Sequence, residues 1–204
     1  MRTSTPRVAI GVARFVRVIA VAGALTVLPT TGVALGASHH RAQSSPPCAD
    51  TNLLPTRANA SRVEAATLCL VNAQRQRHGR HALRANADLA KAAAAHSQDM
   101  VSQNYFNHVS PTGETPLARI KASTYVPPRS AYLVGENIAL GTMQLSTPGA
   151  IVASWMKSPD HRANILNPDF RDTGIGVVAQ APAQYSVGQA GATYTQQFGV
   201  IAKI

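Results

Sequence analysis

The spacing of apolar residues predicts two helices in the first part of the main domain. Apolar residues recur three and four positions apart after Ser61, and Ser61 and Glu64 have the spacing of a capping box. This helix is therefore predicted to begin at Ser61 and to end at Gly79, because glycine readily adopts the left-handed conformation that ends helices. A second apolar face, rich in alanine, predicts a helix from about Asp88 to Met100.

Two threonine–proline pairs indicate the starts of shorter helices. Thr115 and Thr147 can each cap a helix whose first residue is the proline that follows. The helix after Thr147 carries Trp155 and is predicted to end at Pro159. Residues 161–166 are then predicted to form a turn.

The pattern changes to that of strands near the end of the chain. Residues 173–180 and 193–203 are rich in β-branched, aromatic and glycine residues and carry few helix signals. Alternation along the last strand predicts that one of Gln196 and Gln197 borders a cleft while the other is solvated. Helices followed by a pair of strands predict an α+β fold, with helices packed on a small antiparallel sheet.

The N-terminal region has the pattern of a signal peptide. Four arginines precede an apolar run at 18–28, and small residues follow at 35–37. These features predict a signal peptide over 1–37 and a secreted protein, with an uncleaved signal anchor as the alternative. Residues 38–60 are rich in Ser, Pro, Ala and Asn and predict a leader ahead of one domain over 61–204. No transmembrane segment is predicted after signal cleavage.

The sequence contains two cysteines, Cys48 and Cys69. In a secreted protein two such residues predict a disulfide, here one that ties the leader to the first helix. Two unrelated thiols are the alternative.

The charge of the chain is positive but dispersed. The net charge is +10, and about +6 without the four arginines of the predicted signal peptide. The densest cluster of cations, at 75–81, has no interleaved aromatic residues, which argues against a nucleic-acid partner. The charge favours loose attraction to an anionic component of the cell envelope.

Three short motifs each contain one residue able to bind a metal or to move a proton. The motifs are Y-F-N-H-V-S-P-T-G at 105–113, G-E-N-I-A at 135–139 and W-M-K-S-P-D-H-R-A-N-I-L at 155–166. The three residues are His108, Glu136 and His161. Two imidazoles and one carboxylate from separate segments suggest a convergent site.

The order of these motifs resembles a bacterial member of the cysteine-rich secretory, antigen five and pathogenesis-related (CAP) superfamily. The resemblance covers residues 66–202 and includes C-L-V-N-A-Q-R at 69–75 and L-A-K-A-A-A-A-H-S-Q-D-M at 89–100. It implies a three-layer α-β-α sandwich. It also implies a large open cleft lined by two histidines and two glutamates.

The family's site residues match this sequence at three of four positions. His108, Glu136 and His161 stand at matching positions, whereas Ser158 stands where the family has its second glutamate. Asp160 precedes His161 in place of the usual glycine. Ser158 and Asp160 are therefore further candidates for ligand binding, and Asp160 could orient the His161 ring or replace the missing acid.

The candidate residues support two kinds of chemistry. Two neutral imidazoles and a carboxylate can hold zinc, or another divalent transition metal, and leave one position open for water. Without a metal, Glu136 beside His108 and His161 can share protons and position a carbonyl or phosphate group of a ligand.

Each candidate also has a purely structural interpretation. His108 could tie its own loop, Glu136 could accept backbone N–H groups, and His161 could cap the turn after Pro159. His96 lies on the apolar face of the alanine-rich helix and is interpreted as a hydrogen-bonded core residue.

These observations predict a secreted protein whose cleft binds a lipid or another component of the cell envelope, with zinc as a candidate cofactor. A metal-assisted envelope hydrolase or peptidase is the first alternative, with Glu136, His108 and His161 as its candidate catalytic residues. The second alternative is a structural surface protein. Loss of the second glutamate favours binding over catalysis.

Overall fold

A computed structural model describes residues 47–202. The predicted signal peptide and the first part of the leader lie outside the described residues. The elements, in chain order, are α1 Ala60–Arg77, β1 Arg84–Ala85, α2 Ala87–Ser102, α3 Pro116–Ala122, β2 Ala131–Thr142, α4 Pro148–Lys157, α5 Pro159–Leu166, β3 Asp172–Val178, α6 Ala183–Ser186 and β4 Gly191–Ala202. Over residues 47–202, no helix combines the length and the apolar character needed to cross a membrane.

The first helix does not begin at the predicted capping box. Asn59 occupies the N-cap position, so Ser61 already lies within α1. Glu64 has a tertiary partner instead, because its Oε1 accepts a hydrogen bond from the backbone N–H of Val177 at 3.1 Å. The prediction of a cap at Ser61 was wrong because a strand distant in sequence uses the carboxylate.

The two helix starts predicted at the threonine–proline pairs are confirmed. Thr115 Oγ1 accepts from Ala118 N at 3.2 Å and Thr147 Oγ1 accepts from Ala150 N at 3.4 Å, so both prolines are first-turn residues. The predicted turn over residues 161–166 is wrong, since these residues belong to α5. The extended backbone of Ser158 separates α4 from α5, as the residue before a proline favours.

The sheet is mixed rather than purely antiparallel. Its strand order is β1-β3-β4-β2. β4 pairs antiparallel with both β2 and β3, and the short β1 pairs parallel with β3, which corrects the prediction of a fully antiparallel sheet. β2 is an edge strand of twelve residues that the sequence did not predict. The polar Glu136-Asn137 pair in its centre interrupts the apolar run that would have indicated a strand.

The sheet lies between two helical layers, as the α-β-α sandwich requires. On one face, α2 packs so closely that a Cβ atom added at Gly176 would lie 2.1 Å from Ala94 N. On the other face, Ile175 and Val177 belong to the main core cluster, which also holds residues of α1, α4 and α5. Trp155 is fully buried in this cluster and donates a hydrogen bond to Ile138 O at 3.1 Å.

The predicted disulfide is present and fixes the segment before α1. Cys48 is bonded to Cys69 of α1, with their Cα atoms 5.7 Å apart. An ion pair of 2.7 Å between Asp50 and Arg62 and a hydrogen bond of 2.8 Å from Gly149 N to Thr51 O add to this attachment.

Candidate functional site

Glu136 lies in the middle of edge strand β2, opposite Gln197 of β4. Successive side chains of a strand point to opposite faces, so Glu136 and Gln197 share the face covered by α2, and Asn137 points to the other face. The motif G-E-N therefore places one polar side chain on each side of the sheet edge. Asn137 is fully buried, and its Nδ2 donates to His161 O of α5 at 3.1 Å.

The carboxylate of Glu136 is held by side chains from three parts of the chain. His108 Nδ1 lies 2.7 Å from Oε1, Arg119 Nη2 donates to Oε2 at 3.1 Å, and Gln197 Nε2 also donates to Oε2. Glu136 is only 7% exposed. Its described donors are side chains rather than the backbone N–H groups that the structural interpretation expected.

The surroundings of Glu136 keep it ionised. Burial raises the pKa of the Glu136 carboxyl, but the hydrogen bond from His108 and the charges of Arg119 and His108 act in the opposite direction. The net result is a pKa below the usual value of a glutamic acid. Glu136 is therefore an anion inside the protein, matched by cationic or donating partners.

Arg119 is a residue of the site that the sequence analysis missed. It lies on α3, is 4% exposed and joins Glu136 to the loop of His108 by donating to His108 O. It also donates to Glu114 O at 3.1 Å. An arginine in the last turn of a short helix usually lies on the surface, so nothing in the local sequence indicated that it was buried.

His108 presents its ring at the edge of this cluster. Its side chain is 41% exposed, and its Nδ1 is engaged by Glu136. In the described part of the chain no hydrogen bond uses its Nε2, so this nitrogen is available to a ligand or substrate. A histidine whose Nδ1 is held by a carboxylate has a fixed ring orientation.

His161 reaches the same region from the other helical layer. It is half-buried near the start of α5. Burial is the largest effect that lowers the pKa of His161, and the charge of His108 lowers it further. The charge of Asp160 acts in the opposite direction, but the net pKa is below the usual value. Asn164, one turn later, donates to Glu136 O at 3.1 Å and to Asn137 Oδ1 at 2.9 Å. These bonds hold α5 against the edge strand that carries Glu136.

Ser158 and Asp160 are less closely tied to the site. Ser158 is half-buried between α4 and α5, and Asp160 is exposed in the first turn of α5. Within residues 47–202, no described side-chain bond joins either residue to Glu136, His108 or His161. The role of Ser158 and Asp160 in ligand binding stays a prediction.

His96 lies behind Glu136 on α2 and is completely buried, as its position on the apolar face predicted. Its Nε2 is 3.9 Å from Glu136 Oε1 and has no hydrogen-bond partner, while its Nδ1 is 3.4 Å from the hydroxyl of Tyr105. Burial lowers the pKa of His96 to about 4. This ring is therefore neutral at pH 7.

The two glutamines of β4 are both completely buried. The prediction that one of them is solvated was therefore wrong. Gln197 holds Glu136, and Gln196 Nε2 donates to Thr173 Oγ1 at 3.1 Å on the opposite face. β4 is an inner strand covered on both sides, which the alternation of its residues could not reveal.

The residues of the site do not fit a metal ion. Among residues 47–202, no group of three or more His, Cys, Asp or Glu side chains is arranged to hold one. The Glu136 carboxylate is already bonded to Arg119, a cation that would repel a divalent metal at the same oxygens. The zinc prediction is therefore unsupported by the geometry.

Two cavities elsewhere on the described surface differ from this site. One of about 500 Å³ lies between the segment around Pro55 and the end of β3, and one of about 360 Å³ lies between α4 and α5. Neither is lined by His108, Glu136 or His161. The candidate site is presented instead by two half-exposed imidazole rings at the edge of the sheet.

The family assignment follows from comparison with known proteins. The model of the cysteine-rich secretory protein family, CAP, matches residues 68–198, which include every residue of the site. The chain belongs to the CAP family. Its predicted resemblance and its three-layer fold are both confirmed.

Relatives of this CAP protein come from other bacteria. The protein YkwD of Bacillus subtilis (strain 168) is 37% identical over 164 residues, which are 79% of this chain and 57% of YkwD. The membrane protein YlbC of the same organism is 36% identical over 114 residues, 56% of this chain and 31% of YlbC. The chain thus spans about half, or less, of the length of these relatives.

Solved structures support the same fold. An extracellular protein containing an SCP domain from Bacillus anthracis superposes with a TM-score of 0.54 at 31% identity, covering 78% of this chain and 45% of its own. An outer surface protein from Borrelia burgdorferi superposes with a TM-score of 0.52 at 19% identity, covering 66% of this chain and 90% of its own. At that identity, the second likeness concerns the fold alone.

Proposed function

We propose that this CAP protein acts outside the cytoplasm and binds an anionic component of the cell envelope between His108 and His161. The observation that carries this proposal is the hydrogen bond of 2.7 Å by which buried Glu136 fixes the half-exposed His108 ring. A fixed imidazole with a free Nε2, beside a second imidazole, provides two ring nitrogens for one ligand group, and each can donate to an anion when its ring is protonated. An extracellular location is consistent with the Bacillus anthracis relative, which is described as an extracellular protein.

The electrostatics of the two rings favour an anion. Burial and the charge of His108 lower the pKa of His161, so protonation of the His161 ring is opposed while the site is free. An anion placed between the rings would relieve this opposition and raise the pKa of His161. Binding would therefore take up a proton, and affinity would increase as the pH falls below the ordinary histidine value of 6.5.

The proposal is tested by binding of defined envelope fragments to the full chain. Glycerol phosphate, anionic wall polymer and neutral wall glycan would be titrated by calorimetry against the natural protein and a His108→Gln, His161→Gln variant. We expect the two anionic probes to bind, more tightly at pH 5.5 than at pH 7.5, and the variant to lose about tenfold or more in affinity. A His78→Gln, His81→Gln variant, altered at exposed positions outside the site, is the control.

A metal-free hydrolase is the second candidate, and one observation favours it. Glu136 holds the Nδ1 of His108 as the acid of a catalytic triad holds its histidine, which would make Nε2 a general base for water or for a serine. Turnover of a wall or peptide substrate that is lost in Glu136→Gln and His108→Gln would support this candidate. The remaining interpretation, a structural surface protein, would apply if the natural protein and the His108→Gln, His161→Gln variant bound every probe equally and no substrate were turned over.

A further inference from the structure

Near the end of the sheet where β2 finishes and β4 begins, four apolar side chains are largely exposed. We call the side chains of Met143, Leu145, Tyr185 and Val187 the apolar tip; they are 53%, 69%, 45% and 84% exposed. They lie in two neighbouring segments, one directly after β2 and the other in α6 and the residue that follows it, before β4. The two segments are joined by the hydrogen bond from Met143 N to Ala190 O at 2.8 Å.

The backbone of the apolar tip is strained at two of its four residues. Met143 and Val187 both have positive φ angles, 49° and 47°, a conformation that is costly for a residue with a Cβ and most costly for a β-branched one. Neither side chain is buried in return. Strained positions of this kind occur often at functional sites.

The apolar tip is also free of charge. Residues 137–156 and 173–202, which include both segments, contain no Asp, Glu, Lys, Arg or His. The chain as a whole carries a net charge of +10. An uncharged surface can enter a medium of low dielectric constant without the cost of removing ions from water.

The small size of the apolar tip indicates which kind of partner it contacts. A specific protein interface uses roughly 20–30 residues a side, far more than these four, which disfavours a second copy of the chain. Exposed apolar side chains on two adjoining segments, with a tyrosine whose ring has one apolar and one polar end, suit the boundary between lipid headgroups and acyl chains. We propose that the apolar tip inserts into the interface of a lipid bilayer.

The position of the apolar tip connects it to the candidate site. Tyr185 packs edge-on against Phe106, with ring centroids 6.1 Å apart, two residues before His108. Gln184 N donates to Asn104 Oδ1 at 3.0 Å, and Gln184 Nε2 donates to Asn104 O. Insertion would therefore hold the loop of His108 close to the membrane surface, whatever the site binds.

The test uses a fluorescent probe that reports its own surroundings, since other parts of the chain could also contact lipid. The two natural cysteines are joined, so Val187→Cys in the full chain provides a single free thiol for an environment-sensitive nitrobenzoxadiazole label. Leu54→Cys, at a position 41% exposed on the segment before α1, is the matched control. Both labelled proteins would be titrated with phosphatidylcholine vesicles, with and without phosphatidylglycerol.

We expect the label at position 187 to shift to shorter wavelength on both kinds of vesicle, while the label at 54 stays unchanged. Adding Leu145→Ser to the 187-labelled protein should raise the lipid concentration needed for half of the shift about tenfold, because one apolar contact with the bilayer is lost. The proposal is overturned by a shift at both positions or at neither. It is also overturned by a shift that needs phosphatidylglycerol and disappears in high salt, or by one that rises with protein concentration without vesicles.

Discussion

Glu136 shows how a single residue depends on partners that are distant in sequence. Its carboxylate is buried beside Arg119 of α3, His108 of a loop and Gln197 of β4. A buried charge is stable only while such partners remain, because the loss of one leaves the other charge without compensation. The site is therefore also a part of the fold, and variants of its residues affect stability as well as binding.

Replacing Glu136 with glutamine should destabilise the protein by about 3 kcal/mol, because it leaves the Arg119 guanidinium buried without its counter-charge. The measurement is urea denaturation at pH 7. The control is Glu114→Gln, which removes a partly exposed carboxylate whose Oε2 is 3.6 Å from Arg119 Nη1 and should cost less than about 1 kcal/mol. Equal losses in both variants would contradict the central role of the Glu136–Arg119 pair.

The stability of the protein should decrease in mildly acidic solution because of His96. The pKa of this residue is lowered from 6.5 to about 4 in the fold, so the unfolded chain binds a proton between these values while the folded protein does not. Stability therefore falls as the pH decreases from 6.5 to about 4, by up to about 3 kcal/mol. Glu136 affects stability at a lower pH than His96 does. Its pKa is depressed, so its stabilising contribution is lost only as the pH falls below about 4.5.

A His96→Gln variant separates these two effects. Its free energy of unfolding would be measured in urea at several pH values. Between pH 6.5 and about 4 this free energy should decrease much less than in the natural protein, whereas below about pH 4 the decrease should remain. A His81→Gln variant at an exposed position should retain the natural profile. An unchanged profile in His96→Gln would show that this ring is not the group responsible.

Packing of α2 on the sheet is decided at the scale of elements. Gly174 and Gly176 of β3 lie beneath the backbone of α2, and a Cβ atom at either would approach backbone atoms to about 2 Å. The helix also contributes Ser97, whose hydroxyl donates to Gly176 O at 2.9 Å. This close approach brings His96, on the neighbouring position of α2, behind Glu136.

Gly176→Ala should therefore destabilise the protein by about 3 kcal/mol, because α2 cannot move away without loosening the core. The matched control is Gly113→Ala, where an added Cβ meets open space but φ is +87°. That change should cost about 1 kcal/mol, from backbone strain alone. The measurement is thermal unfolding of the natural protein and both variants, followed by circular dichroism. A smaller loss of stability in Gly176→Ala than in Gly113→Ala would contradict the packing argument.

At the scale of the whole molecule, the disulfide attaches the segment before α1 to the rest of the described protein. The bond closes a loop with a sequence separation of 21, and the same segment reaches α4 through the bond between Thr51 and Gly149. The main effect expected is a restriction of the unfolded chain.

Replacing both cysteines with serine should lower the free energy of unfolding by about 3 kcal/mol, as the chain-entropy model gives for a loop of this size. Urea denaturation of the variant, and of the natural protein after reduction, should give similar losses. Limited proteolysis should then cut the segment around residues 49–56 first. A variant as stable as the natural protein would show that the other contacts of the segment suffice.

The local sequence determined the features that depend on near neighbours. The helix starts at Thr115 and Thr147 follow from a side-chain cap and a proline within a few residues, and the end of α1 follows from a glycine at 79. The order of short motifs also determined the family and hence the sandwich. The pairing of Cys48 with Cys69 needed no tertiary information, since the sequence contains no other cysteine.

Only the tertiary structure decided the composition of the site. Strand β2 was hidden because its polar centre is matched by groups from other elements, and Arg119, Gln197 and His96 carry no local sign of being buried around Glu136. The same contacts explain why the zinc prediction is unsupported, since a neighbouring cation cannot be inferred from the spacing of ligands. Local patterns fix which elements form, whereas charges find their partners only when distant segments pack together.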